Sequence, residues 1–204
     1  MMLATVMGLP LGVLSAVKQY SPADSFLRVA STVLVAMPTF WLAMLLILVF
    51  ALYLGWLPAG GALTWQSYIL PTITVGVPYG SKVLRMTRST MLEEIRQDYV
   101  RTARSKGVPE KKVIYGHALK NALLPVITTI GSAFGAILGG SVIAESVFNL
   151  PGLGSLIVLS IKAKDTPSVL ASVLLLAVFF ALIMLIVDLV YAFIDPRIKA
   201  KYAK

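Results

Sequence analysis

The fold of this chain is decided by one stretch, from Arg85 to Val126, which reads RMTRSTMLEEIRQDYVRTARSKGVPEKKVIYGHALKNALLPV and is its only long polar segment. An apolar or aromatic residue recurs there every four positions, at Met91, Ile95, Tyr99 and Ala103. This spacing predicts an amphipathic helix. Gly107 can take the left-handed conformation that ends such a helix, and Pro109 suits the first turn of another. The pattern alone leaves open whether this basic helix lies on anionic lipid or contacts a protein.

The rest of the chain is too apolar for a soluble domain. Of its 204 residues, 58% are hydrophobic and 13% are charged, which indicates a membrane protein. Long apolar stretches separate the basic residues, so the net charge of +9 does not indicate a nucleic-acid partner. There is no cysteine, and His117 is the only histidine, so the sequence suggests neither a metal site nor a catalytic nucleophile pair.

The gaps between charged residues have the length of membrane spans. A span needs about 20 apolar residues, and one uncharged gap is long enough for two spans joined by a turn near residues 55–61. The sequence therefore predicts an all-α polytopic membrane protein with one transmembrane domain. We expect five spans, at about 2–17, 29–54, 67–84, 122–146 and 168–193, with a loop at 85–120.

The distribution of basic residues predicts the orientation. Two loops and the C-terminal tail hold 16 of the 18 lysines and arginines, and the opposite side holds Lys162 and Lys164. Because an excess of Lys and Arg marks the cytoplasmic side, we expect the 85–120 loop and the C-terminus to be cytoplasmic.

The polar segment also resembles a known family signature. The run from Gln97 to Pro125 is similar to the cytoplasmic loop of bacterial ABC-importer permeases, matching it at Ala103, Gly107 and Leu119. It departs from the general pattern at Arg101, Thr102, His117 and Lys120. In this form, the loop resembles the dipeptide and oligopeptide branch, which also contains nickel and glutathione importers. Four further stretches resemble that branch and occur in its order: MPTFWLAMLLILVFALYLGWLPAGG, ILPTITVG, ESVFNLPGLGSL and DLVYAFIDPRI. The first of them favours the B-type subunit of the branch.

This resemblance implies a type I ABC importer permease fold and a mechanism. The chain would form half of a pathway for dipeptides or oligopeptides, with nickel or glutathione as the alternative substrate. The resemblance assigns the coupling helix, which docks on an ATPase, to Tyr99, Arg101, Thr102, Ala103, Arg104, Lys106 and Gly107. It also implies that the family's first span is missing here.

The implied partners are a second, C-type permease, two ATP-binding subunits that hold ATP and Mg, an extracytoplasmic solute-binding protein and the lipid bilayer. No cofactor is expected in this chain, and the implied location is the bacterial or archaeal cytoplasmic membrane. A passive channel would not need the helix, glycine and helix of the loop. A membrane-embedded enzyme is disfavoured because polar residues do not converge on any span.

Several residues outside the loop are further candidates. Pro38 should kink or break the second span. Gly131, Gly135 and Gly139 repeat every four residues, which suits close helix packing, a contact with the partner permease or a pathway wall. Ionisable residues near spans suggest function, and here they are Glu145 near the outer face and Asp188, which could pair with Lys82 or Arg85. The resemblance adds an external gate near Pro151 and Gly152.

Overall fold

The computed structural model describes residues 1–194, apart from the side chains of residues 138–140, 188 and 190–194. Its secondary structure in that range is helical. The nine α-helices are α1 Met2–Val17, α2 Pro22–Ala36, α3 Thr39–Leu46, α4 Ile69–Ile95, α5 Asp98–Ser105, α6 Glu110–Lys112, α7 Leu119–Val147, α8 Leu153–Lys162 and α9 Thr166–Ile194. Two π-helical segments continue this pattern, Ile47–Tyr53 after α3 and Val113–Ala118 between α6 and α7. A short 3-10 turn, Trp65–Tyr68, leads into α4.

Two of the described helical stretches are long and apolar enough to cross a bilayer, Glu110–Ile137 and Thr166–Val187. Helix α2 and the helical stretch Thr39–Tyr53 meet the same criterion only as a pair, and they meet at a bend of 106°. Taken as one broken span, they are a third stretch of this kind. Pro38 lies at this bend in an extended conformation, and Met37 before it is extended as well. Proline has no N–H and disfavours a helical residue before it, so the predicted second span is two helices, the first of which begins at Pro22.

Glycines bring α1 and α4 into close contact. A Cβ atom on Gly8 would lie 2.5 Å from the carbonyl oxygen of Gly80, and one on Gly12 would lie 2.5 Å from Cβ of Thr87. Any side chain at either position would therefore push the helices apart. Gly8 with Gly12, and Gly76 with Gly80, form two G-x-x-x-G pairs that face each other across this interface.

The predicted amphipathic helix is interrupted. Helix α4 continues beyond the predicted end of its span to Ile95, and α5 begins only at Asp98, so Met91 and Tyr99 do not share one helix. The break shifts the apolar face by one residue, because Val100 is fully buried whereas Tyr99 is 38% exposed. Val100 packs with residues of α1, α4, the second π segment and α7 in a cluster at one end of the bundle, the α5 end: Val13, Ala16, Met91, Val113, Ile114, Ala118 and Ala122.

At the opposite end, α8 lies between α7 and α9, in a segment where the sequence suggested only a turn or gate. The loop after the first π segment reaches this end too, since the N–H of Gly61 donates to the carbonyl of Phe148 at 2.8 Å. Phe148 is fully buried with Ala43, Leu70 and Ala144 in a second apolar cluster. The two clusters fix the two ends of the bundle.

Candidate functional site

Helix α5 is a short, exposed helix on a buried base. Val100 is fully buried and Ala103 packs against the same cluster, so one side of the helix is attached to the bundle. The opposite side is open, and the side chain of Arg101 is 77% exposed with only a distant partner, Asp98 at 3.8 Å. Thr102, Lys106 and Gly107 are exposed as well. The residues predicted to form the coupling helix therefore share one accessible surface, except Ala103, which belongs to the base.

A tight turn follows α5. Gly107 has a φ of +73°, the left-handed region that glycine enters without strain, and nothing lies near the position of a Cβ atom. The N–H of Val108 donates back to the carbonyl of Ala103 at 3.2 Å. Arg104 closes the turn by donating from Nε and Nη2 to the Glu110 carboxylate, at 3.1 and 2.7 Å. This contact holds the pKa of the Arg104 guanidinium above its usual range.

Tyr99 links α5 to the end of α4. Its hydroxyl donates to Oε2 of Glu94 at 2.5 Å. Two effects raise the pKa of the Tyr99 phenol. Partial burial is the larger one, and the hydrogen bond to Glu94 is the second. The phenol therefore keeps its proton near neutral pH and remains a hydrogen-bond donor.

A buried ion pair close to this surface was not predicted from the sequence. Asp24, in the first turn of α2, is fully buried and accepts hydrogen bonds from Nε and Nη2 of Arg88 on α4, at 2.7 and 2.8 Å. The Ser15 hydroxyl near the end of α1 donates to the same carboxylate at 2.5 Å, and the N–H of Tyr20 at 3.0 Å. Ser21, three residues before Asp24, caps α2, and such a serine is a sequence signal for the start of a helix. It gives no signal that Arg88 is the partner of Asp24.

At the opposite end, Glu145 holds the start of α8. Its Oε2 atom accepts hydrogen bonds from the backbone N–H groups of Gly154 at 2.8 Å and Ser155 at 3.1 Å. These donors have no partner within the helix, and a carboxylate satisfies them while complementing the helix dipole. A Cβ atom on Gly152 would overlap this carboxylate. The structure thus brings Glu145 and Gly152 together, while Pro151 is exposed beside them.

The remaining predicted residues lie apart from both ends. Cβ atoms on Gly131 and Gly135 would overlap Val187 and Phe180, so these glycines face α9 of the same chain. Pro38 is exposed at the bend after α2. The surroundings of Gly139 and the side chain of Asp188 lie outside the described residues, and so does the predicted pairing of Asp188.

A groove runs between α4 and α7. It has a volume of about 360 Å³ and is lined by Met86, Leu124, Pro125, Thr128, Thr129 and Ser132. Half of these residues carry a hydroxyl, so the groove offers polar contacts beside apolar ones. Across the described residues, no group of three or more His, Asp or Glu side chains is arranged to hold a metal ion.

The architecture is that of an ABC importer permease. The fold matches a solved structure of the MetNI methionine ABC transporter in an inward-facing conformation, with a TM-score of 0.78 over 95% of this chain and 88% of that one. The two sequences are 19% identical, so this likeness shows the fold alone. It confirms the predicted all-α type I importer permease fold.

Sequence comparison identifies the family. Residues 8–200 match the model for binding-protein-dependent transport system inner membrane components. Glutathione transport system permease protein GsiC of Escherichia coli strain K12 is 43% identical over 98% of this chain, and that of Pectobacterium atrosepticum is 45% identical over 97%. The chain belongs to this family, which confirms the resemblance found in the sequence. It spans 66% of the Escherichia coli protein and 65% of the Pectobacterium protein.

Proposed function

We propose that this chain is a permease subunit of an ATP-driven importer and that α5 and the Gly107 turn are its contact with a separate ATPase. The observation that carries the proposal is the build of this segment. Its outer side presents the exposed side chains of Arg101, Thr102 and Lys106, while its inner side is fixed through Val100. A helix so attached can receive a force on one side and pass it to the bundle on the other.

The base determines where that force goes. Val100 packs in one cluster with Val13 of α1, Met91 of α4 and Ala122 of α7. Packed interiors resist compression, so a displacement of α5 moves these helix ends together rather than bending a loop. The Arg104–Glu110 contact braces the turn on its exposed side, and the positive charges of the outer side would set the register of docking.

The test is charge reversal at Arg101 in the complete complex, assembled with its ATPase subunits, second permease and solute-binding protein in proteoliposomes. We expect Arg101→Glu to abolish most of the ATPase stimulation by loaded binding protein. The matched control is Arg28→Glu, since Arg28 is an exposed arginine on α2, outside α5 and on the side predicted to be cytoplasmic. Equal stimulation in the wild type and Arg101→Glu would contradict the docking assignment.

For the substrate, we propose glutathione or a closely related short peptide. Support comes from the relatives above, whose names state glutathione transport and which are similar along nearly the whole of this chain. The wider dipeptide or oligopeptide specificity, and nickel, stay predictions from the sequence. The same proposal includes a second permease, ATP and Mg on the partner ATPase, a solute-binding protein and a cytoplasmic membrane location with the C-terminus inside.

Uptake by the same proteoliposomes tests the substrate and the class of protein together. We expect ATP to drive accumulation of labelled glutathione above the external concentration, with excess unlabelled glutathione competing better than dipeptides or Ni²⁺. Equilibration without ATP would instead indicate a passive channel. Accumulation of a dipeptide in preference to glutathione would instead support the wider dipeptide or oligopeptide specificity predicted from the sequence.

A further inference from the structure

One face of α4 is polar although no other described helix covers it. Lys82, Arg85 and Ser89 are exposed, and their spacing of three and four residues keeps them on one side of the helix. Other parts of the α4 surface pack against α1, α2 and α7. Such a face is unsuited to lipid, because ionisable side chains in spanning helices almost always face a protein interior or a water-filled cavity.

Lys82 lies at the middle of α4. It has 13 residues of the helix on either side. The helix is about 40 Å long at 1.5 Å per residue, so when α4 alone crosses a hydrocarbon core of about 30 Å, its midpoint lies inside that core.

The direction of the Lys82 side chain argues against contact with lipid headgroups. Lysines near the ends of spans usually extend toward the closer interface. Here the Nζ atom lies 4.9 Å from the ring centroid of Tyr79, which precedes Lys82 by three residues and so is farther from α5. The ammonium group therefore lies against the Tyr79 ring, on the side of Lys82 that faces the Ile69 end of α4. Among the residues that the structure describes, no carboxylate forms an ion pair with Lys82 or Arg85.

The groove between α4 and α7 supplies the complementary groups. Met86 of its lining is four residues from Lys82, and Ser89 follows one turn later. On α7, the hydroxyls of Thr128 and Thr129 donate to the carbonyls of Leu124 and Pro125, at 3.3 and 2.9 Å. Their own protons are thus engaged, which leaves oxygen lone pairs as acceptors for N–H groups in the groove.

We infer that this groove and the exposed face of α4 beside it form a wall of the solute pathway, in which Lys82, supported by Arg85, binds the C-terminal carboxylate of the transported solute while the α7 hydroxyls accept from its amide groups. This inference rests on the proposed importer function and specifies what the pathway recognises. A short peptide with a free carboxylate carries both kinds of group. The positive charge would favour such anionic solutes over neutral ones.

Thiol labelling tests whether the groove contains water. The natural chain has no cysteine, so Lys82→Cys, Ser89→Cys and Ser132→Cys each give it a single thiol. In the assembled complex, we expect all three variants to react with a charged, membrane-impermeant methanethiosulfonate and to be protected by S-methylglutathione, whose blocked thiol does not consume the reagent. The lipid-facing control is Leu182→Cys on α9, at a residue that is 51% exposed on an apolar surface. If the thiols of Lys82→Cys and Ser132→Cys are as inert as that of the control, the groove is not part of the pathway.

Transport tests the role of the charge. In the reconstituted complex, we expect Lys82→Met to lower uptake of glutathione about tenfold, because a charged hydrogen bond is lost, and Lys82→Arg to retain most of it. Uptake of an analogue with its glycine carboxylate converted to an amide should fall far less. The quantity to compare between variants is the ratio of glutathione uptake to uptake of the amide analogue, because any preference of the binding protein affects this ratio equally in each variant. Lys18→Met, outside the groove, is the control.

The outcomes separate this inference from the proposed function. An unchanged ratio of acid to amide uptake in Lys82→Met would overturn the carboxylate assignment even if the Lys82→Cys variant is labelled. A wild-type complex without ATP-driven uptake would instead refute the importer function, and labelling would still report whether the groove is open to water.

Discussion

Arg88 donates two hydrogen bonds to the buried carboxylate of Asp24, joining residues that are 64 positions apart in the chain. With Ser15 as a third donor, this carboxylate ties together the end of α1, the start of α2 and the C-terminal third of α4. Met91, in the cluster under α5, follows Arg88 by one turn. The ion pair therefore stabilises the part of the bundle against which the proposed lever acts.

Removing one partner of this buried pair should lower the free energy of unfolding far more than breaking an exposed ion pair. We expect Asp24→Ala to destabilise the protein by about 3 kcal/mol, because Arg88 would be left largely buried without its counter-ion. The control is Asp98→Ala, which breaks a pair whose side chains are 77% and 98% exposed and should cost less than about 0.5 kcal/mol. Thermal unfolding of the purified complex measures both, and similar losses would contradict the role given to Asp24.

This pair marks the limit of what the sequence could predict. Gaps between charged residues predict apolar helices because a bilayer excludes charge, and the helices α1, α7 and α9 have bounds close to the predicted ranges. No local pattern, however, identifies the partner of a buried aspartate on a distant helix. The same holds for Glu145, whose partners are backbone N–H groups of α8, a helix that was not predicted from the sequence.

The glycines of α1 should tolerate substitution poorly. We expect Gly12→Val to destabilise the protein by about 1 to 3 kcal/mol, since the new side chain would overlap Thr87 and the carbonyl of Leu84 on α4. Gly116→Ala is the control, because a Cβ atom there meets only Lys112 at 3.6 Å in a helical segment. That change should be neutral or stabilising by up to about 1 kcal/mol. Unfolding of both variants within error of each other would refute the close α1–α4 contact.

Loss of the Glu145 carboxylate should loosen α8. In Glu145→Ala, the amide groups of Gly154 and Ser155 lose their acceptor, and we expect them to exchange hydrogen at least about tenfold faster. Ser146→Ala is the neighbouring control, since its exposed hydroxyl donates only to the carbonyl of Val142 within α7. Hydrogen exchange followed by mass spectrometry resolves this segment. Unchanged exchange at the start of α8 would show that Glu145 does not hold it.

The polar loop shows why regular spacing can mislead. One continuous helix would fit the spacing of Met91, Ile95, Tyr99 and Ala103. The structure instead has a break at Arg96 and Gln97, after which Val100 packs in the apolar cluster with Val113 and Ile114. Burial of one further valine decided between two registers that the sequence alone does not distinguish. Gly107, in contrast, has the left-handed conformation expected from its place after α5, because that feature depends on local backbone sterics.

Gly107 also offers the most direct measurement of the central proposal, that α5 and its turn couple the permease to an ATPase. Gly107 and Gly55 both have positive φ, +73° and +63°, with open space around the position of a Cβ atom, but only Gly107 adjoins α5. Gly107→Leu and Gly55→Leu should therefore carry similar backbone strain. In the reconstituted complex, we expect ATPase stimulation by loaded binding protein to be lost in Gly107→Leu and kept in Gly55→Leu. Equal stimulation in both variants would contradict the coupling role of this turn.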